Sequence, residues 1–116
     1  IKNALASVAV TDLSAATRWY GQILGRPADS NPMPEVAEWK FERGGWMKVY
    51  ELPERAGTGS FTLAVSDLDS QAAELEKFDI DTSQRTSGEK VKTLMITDPD
   101  GNHIAFAEAI EPGIAR

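Results

Sequence analysis

The segment Ala9-Val10-Thr11-Asp12-Leu13 returns fifty-five residues later as Ala64-Val65-Ser66-Asp67-Leu68. An alternating apolar run precedes each copy, and a helix-like run follows it. One supersecondary unit written twice accounts for the pattern. Many short repeats at a fixed period would indicate a solenoid, whereas two copies of this length indicate paired halves that face each other. The sequence therefore predicts a ligand cavity between two similar halves.

A chain of 116 residues is long enough for one domain with a substantial core, so neither disulfides nor metal are required for stability. It contains no cysteine, which excludes thiol catalysis, cysteine metal sites and disulfide staples, and fits a reducing compartment. No apolar run approaches a membrane span and no signal peptide is visible. A cytoplasmic protein with no membrane partner is expected. The net charge is -6, from 18 acidic and 12 basic residues, and the basic residues form no continuous stripe. Nucleic acid is not an expected partner, because phosphate neutralisation supplies most of such affinity. A cationic ligand would suit the sign, although a modest acidic excess mainly keeps a protein dispersed.

Leu5 to Val10 alternates, with Ala6, Val8 and Val10 on one face and Leu5, Ser7 and Ala9 on the other, as in a strand covered by helix on one side. Asp12 or Ser14 can cap a helix whose face is Leu13, Ala16, Thr17, Tyr20, Ile23 and Leu24, stopped by Gly25 and Pro27. Residues 28–35 read as loop or poor edge strand. Val36 to Arg43 and Gly45 to Leu52 form a hairpin turned at Gly44-Gly45, and 53–59 is the linker. The order then repeats. A strand from Ser60 to Val65 leads to a helix from about Leu68 to Phe78, with Leu68, Ala72, Leu75 and Phe78 inward. A weak polar strand near Thr82 to Arg85 follows, then Val91 to Thr97 and His103 to Glu108, joined by Asp98-Pro99-Asp100-Gly101-Asn102. The tail after Ala109 is expected to be loose.

The two Val-x-Asp-Leu corners, the helix end from Trp19-Tyr20 to Leu24-Gly25 and the Asp-Pro-Asp-Gly-Asn turn resemble the vicinal oxygen chelate superfamily, which includes glyoxalase I, extradiol dioxygenases, fosfomycin-resistance enzymes and bleomycin-resistance proteins. The resemblance covers nearly the whole chain. It implies an α+β fold of the glyoxalase/bleomycin-resistance type, with two tandem βαβββ modules forming a curved-sheet cleft. Residues 1–116 then make one domain, with module 1 at about 1–53 and module 2 at about 59–110. The closing turn reads as architectural, because proline and glycine fix its backbone angles.

Enzymes of that superfamily hold a metal between a His opening the first strand of each module and a Glu in the last strand. The matching positions here are Leu5, Ser60, Ala105 and Lys48, or Tyr50 for the last if the hairpin aligns differently. An open catalytic site needs three or more His or carboxylate donors about 2 Å from the ion. Leu5 and Ala105 offer none, Ser60 offers a neutral oxygen, and Lys48 repels a cation. With one histidine in the chain, a His-rich site is excluded. No metal ligands and no divalent metal or other cofactor are expected.

His103 shares the cleft face with Ala105 and Ala107 and is the one candidate catalytic group, a general base or rim donor. The competing reading is a solvated residue after a turn. Glu51 and Glu108 read as solvated strand-end carboxylates, although a one-residue slip would bring Glu51 onto the cleft face. The candidate ligand surface is Trp46, Lys48, Tyr50, Ser60, Thr62, Thr93, Met95 and His103, with Ser7, Ala9 and Ala64 making room: rings for stacking and hydroxyls for orientation. Trp39, Phe41 and Trp46 equally suit a core or a dimer interface, and Trp19 and Tyr20 suit helix packing.

Two functions follow from the resemblance. One is a metal-free protein like the bleomycin-resistance proteins, sequestering a small aromatic or cationic ligand and conferring antibiotic resistance, assembled as a homodimer through exposed sheet edges. The other is a glyoxalase- or dioxygenase-type enzyme, a lyase, isomerase or oxygenase with displaced ligands. No complete catalytic constellation can be written, so the reading leans away from an enzyme.

Overall fold

The computed structural model describes residues 3–110. The chain orders as β1 (Leu5–Val10), α1 (Leu13–Leu24), β2 (Ser30–Met33), β3 (Val36–Lys40), β4 (Trp46–Glu51), a single 3-10 turn (Pro53–Arg55), β5 (Ser60–Ala64), α2 (Leu68–Glu76), β6 (Arg85–Ser87), β7 (Val91–Thr97) and β8 (His103–Ala109). Each half is therefore βαβββ. The strands form two four-stranded mixed sheets in the equivalent orders β1-β4-β3-β2 and β5-β8-β7-β6. By contacts the chain divides into two compact units. The first comprises residues 1–59 with 98–102, and the second comprises 60–97 with residues from 103 onward.

In the first unit β1 runs parallel to β4, with Ala6 opposite Met47 and Val8 opposite Val49. These side chains and Val10, Ala37 and Trp39 make the face that α1 covers, and Val8, Val10, Ala37, Trp39, Met47 and Val49 are all buried. The helix contributes Leu13, Ala16, Tyr20 and Ile23, spaced to share one side. Asp12 caps it by accepting the Ala15 N–H at 3.3 Å. Gly25, at φ 77°, closes it in the left-handed conformation that glycine adopts without steric cost. The buried Trp39 indole donates to the Arg26 carbonyl at 3.0 Å, so its one polar atom is satisfied. Residues 28–35, open between loop and edge strand on sequence, include a four-residue edge strand whose register with β3 shifts between Ser30 and Met33. Pro32, which has no N–H to donate, is tolerated at such an edge.

The second unit repeats the plan with Leu68, Ala72 and Leu75 of α2 over Leu94, Ile96, Ile104 and Phe106, all buried. Asp67 caps α2 through the Ser70 N–H at 3.1 Å. The hydrogen bonds from Ser70 hold the Asp67 carboxyl below the usual carboxylate range. Two expectations need correction. The helix stops at Glu76, and Phe78, expected inward, is 42% exposed. The backbone past Lys77 turns away, with the Phe78 N–H on the Leu75 carbonyl and Asp79 at φ 60°. The polar strand lies at Arg85–Ser87 rather than near Thr82 to Arg85. Residues 81–83 instead form an Asx turn, the Ser83 N–H bonding the Asp81 carboxylate at 2.9 Å. The tail expected to be loose lies, beyond Ile110, outside the described residues.

Candidate functional site

Strand pairing fixes which side chains share the helix-free face of each sheet. In the first unit they are Leu5, Ser7 and Ala9 on β1, Trp46, Lys48 and Tyr50 on β4, and Val36, Glu38 and Lys40 on β3. Of the residues expected to bind ligand, Trp46, Lys48 and Tyr50 are neighbours here, and all three are half-buried. The Lys40 ammonium stands 4.5 Å from the Trp46 ring centroid and the Lys48 ammonium 5.7 Å from that of Tyr50. Both are cation–π geometries. Glu38 faces Lys48 across the strand pair, and its carboxylate accepts the Ser30 hydroxyl at 3.2 Å.

In the second unit the helix-free face carries Ser60, Thr62 and Ala64 on β5, Thr93, Met95 and Thr97 on β7, and His103, Ala105 and Ala107 on β8. Ser60, Thr62, Thr93, Met95 and His103 thus lie on one side of one sheet. Thr86 on β6 and Thr93 are joined through their hydroxyls. His103 is exposed and pairs in register with Ser60 and Thr97. Its side chain has no hydrogen-bond or ion-pair partner among the described residues, so no group orients the imidazole as a general base would need.

The register also settles which residue of β4 corresponds to Ala105. Ala105 lies opposite Thr62, the third residue of β5, and Lys48 lies opposite Ser7, the third residue of β1. The residues that the superfamily resemblance places at metal positions, Leu5, Lys48, Ser60 and Ala105, all lie on helix-free faces. Their donor chemistry does not fit a divalent ion: one hydroxyl, two side chains without donors and one ammonium. Among the described residues no three His, Asp or Glu side chains are grouped to hold a metal.

Glu51 is exposed at the end of β4, as expected, and Glu108 is half-buried, but neither carboxylate is free. Both point to the helix side. Glu51 accepts the Leu13 N–H at 3.0 Å and Glu108 accepts the Leu68 N–H at 2.7 Å. Each carboxylate therefore satisfies a first-turn amide and sits at the positive end of a helix dipole. The aspartate of each repeated corner caps the same helix two residues further in, at the Ala15 and Ser70 amides.

The closing turn is held by a dense set of hydrogen bonds. Asp98 and Asn102 are both buried. One oxygen of Asp98 accepts the backbone N–H of Asp100 and of Asn102 at 3.0 and 2.8 Å. The other accepts the Tyr20 hydroxyl at 2.7 Å and the Asn102 amide at 2.8 Å. Asn102 also donates to the Ala9 carbonyl at 2.9 Å and accepts the Gly59 N–H at 2.8 Å. Burial, then the neighbouring Asp98 carboxylate, raise the Tyr20 hydroxyl well above its ordinary pKa. Thr11 completes the arrangement by donating its backbone N–H and hydroxyl to Asp100 at 3.1 and 2.6 Å. Reading Tyr20 as helix packing misses its hydroxyl. The signal that could have found it is a polar tip on an otherwise apolar helix face, facing a turn rich in carboxylates. A pocket of about 110 Å³ opens beside this network, lined among others by Thr11, Ala16, Tyr20 and Asp100. It is below the size that encloses a drug-like molecule, and its carboxylates already accept hydrogen bonds.

Paired βαβββ modules, each a four-stranded sheet with one helix, define the glyoxalase/bleomycin-resistance fold. Over 91% of its length the chain matches a glyoxalase/bleomycin resistance protein from Catenulispora acidiphila, covering 96% of that chain at 34% identity and a TM-score of 0.83. The chain belongs to the glyoxalase/bleomycin resistance protein family, within the vicinal oxygen chelate superfamily. Two more distant structures share the fold. An antibiotic-binding protein from a Streptomyces species matches at 19% identity and a TM-score of 0.77, over 94% of this chain and 96% of that one. A lactoylglutathione lyase from Agrobacterium tumefaciens matches at 17% identity and a TM-score of 0.73, over 90% of each chain. No family profile and no curated protein matches the sequence. Among the described residues no helix is long and apolar enough to cross a membrane.

Proposed function

We propose that this chain is a small-molecule-binding protein that holds an organic ligand against its helix-free sheet faces without a metal ion. One observation supports the reading: the residues that the superfamily resemblance places at metal positions, Leu5, Lys48, Ser60 and Ala105, offer one hydroxyl, two side chains without donors and one ammonium. What those faces present instead is Trp46 and Tyr50 in one unit and the hydroxyls of Ser60, Thr62 and Thr93 in the other, with Met95 and His103. Flat rings with a few orienting hydroxyls suit an organic ligand better than a metal-bound intermediate. The Streptomyces relative, an antibiotic-binding protein on the same fold, gives the function a precedent, and sequestration of a toxic compound would make it a resistance protein. The protein is taken to act in the cytoplasm as a homodimer.

Metal analysis of protein purified without chelators tests the first part. Stoichiometric Zn, Ni, Mn or Fe would overturn it. The ligand surface is tested by tryptophan fluorescence titration against a library of planar compounds. Trp46→Ala should abolish tight binding while the circular dichroism spectrum is retained, and unchanged affinity would remove Trp46 from the site. A monomeric mass by light scattering would contradict the dimer.

A further inference from the structure

The net charge of -6 suggests a cationic ligand, but the charges on the helix-free faces have the opposite sign. On the first unit's face the charged strand residues are Glu38, Lys40 and Lys48. Two cations stand against one carboxylate, and that carboxylate is already bonded to Ser30. On the second unit's face His103 is the sole ionisable strand residue. The acidic excess of the chain therefore lies elsewhere, in the helices, caps and turns. Among the described residues Lys48 has no ion pair or hydrogen bond to its ammonium, although it is half-buried and Glu38 lies directly across the strand pair. The Asp29 carboxylate near Lys40 is bound by Arg26 at 2.6 Å and by the Lys40 backbone N–H at 2.7 Å.

We propose that the ligand is an organic oxyanion carried on a planar body, with Lys48 as its principal charge partner and Lys40 as a second. This rests on the small-molecule reading above. Both ammonium groups lie over aromatic rings, Trp46 and Tyr50. Such an association is weaker than a charge-assisted hydrogen bond to an oxyanion. An arriving carboxylate therefore draws the ammonium groups off the ring faces, and the uncovered rings receive the planar body. A cationic ligand would meet two like charges there and could recruit only Glu38.

The test uses the full chain and three isosteric probes, naphthalene-2-carboxylate, its primary amide and 2-naphthylmethylammonium, titrated by tryptophan fluorescence and calorimetry. The carboxylate should bind roughly tenfold or more tighter than the other two, as a charge-assisted contact requires. Lys48→Gln should remove most of the carboxylate's advantage over the amide, and the double change with Lys40→Gln should remove the rest. Glu38→Gln should tighten carboxylate binding, a gain that a folding defect cannot imitate. Equal binding of carboxylate and amide, or a preference for the ammonium probe, overturns the oxyanion assignment and leaves small-molecule binding standing. No response to any of the three at millimolar concentration removes both readings.

Discussion

Removing one oxygen atom from the molecule, by Tyr20→Phe, tests the view that the closing turn anchors the first unit. The phenylalanine ring fills the same buried volume, so no cavity forms and the change isolates the hydroxyl. That hydroxyl donates to Asp98 at 2.7 Å in a fully buried setting. A hydrogen bond to a charged acceptor contributes about 1.5–3 kcal/mol net. Asp98 retains three other donors after the substitution, which places the expected loss near the lower end, about 1.5–2 kcal/mol. For a chain of this size that corresponds to a fall in Tm of roughly 6–8 °C. Urea unfolding followed by circular dichroism reads it as a lower midpoint at unchanged slope. Asp98→Ala strands the Tyr20 hydroxyl and two backbone amides together, and should cost about 3–5 kcal/mol. The Tyr20 ionisation supplies a second readout. Its pKa is raised above 10.0 in the folded chain, so the unfolded chain loses the proton first. The contribution is full below pH 10 and declines as pH rises beyond it. Wild-type protein should lose stability above pH 10 more steeply than Tyr20→Phe. A loss below about 0.5 kcal/mol, the size of an ordinary surface change, together with identical alkaline slopes, would refute the anchoring role.

Three other outcomes follow from the same contacts. Glu51→Ala and Glu108→Ala should each destabilise by about 1 kcal/mol, because a first-turn amide and the helix dipole both lose their partner. Thermal melts of the two variants should agree within error if the sites are equivalent. Gly57→Ala should cost about 1–3 kcal/mol in denaturant unfolding, since Gly57 sits at φ 87° and an added Cβ would lie 2.4 Å from the Asp100 carbonyl oxygen. Asp12→Ala should remove the α1 cap and cost about 1 kcal/mol, measured by the same melts.

The repeated corner was legible because it is local: an alternating strand, a capping aspartate and a helical stripe each leave a periodic trace. The buried sides of both sheets follow from that alternation, down to Ile104 and Phe106. What escaped the sequence was long-range polar pairing. Glu51 and Glu108 end strands and would ordinarily be solvated, and nothing within a few residues of either shows that a helix amide lies 38 or 40 positions away. Phe78 follows the helical spacing but falls beyond the helix, because Leu75 already completes the buried stripe and the chain turns at Lys77. The placement of β6 also depended on a partner. Three exposed polar residues become a strand through pairing with Lys92, Thr93 and Leu94, not through propensity.

The first unit is not continuous along the chain. Residues 1–59 are completed by the five-residue turn 98–102, whose Asn102 bonds a carbonyl 93 positions earlier. A growing polypeptide therefore cannot finish its first half when that half has been synthesised. The Ala9 carbonyl, the Gly59 amide and the Tyr20 hydroxyl wait for residues 98–102, which are made only after the whole of residues 60–97. A fragment ending near residue 59 should be loosely folded, and the slow step of folding should be the arrival of the turn, not the formation of either helix.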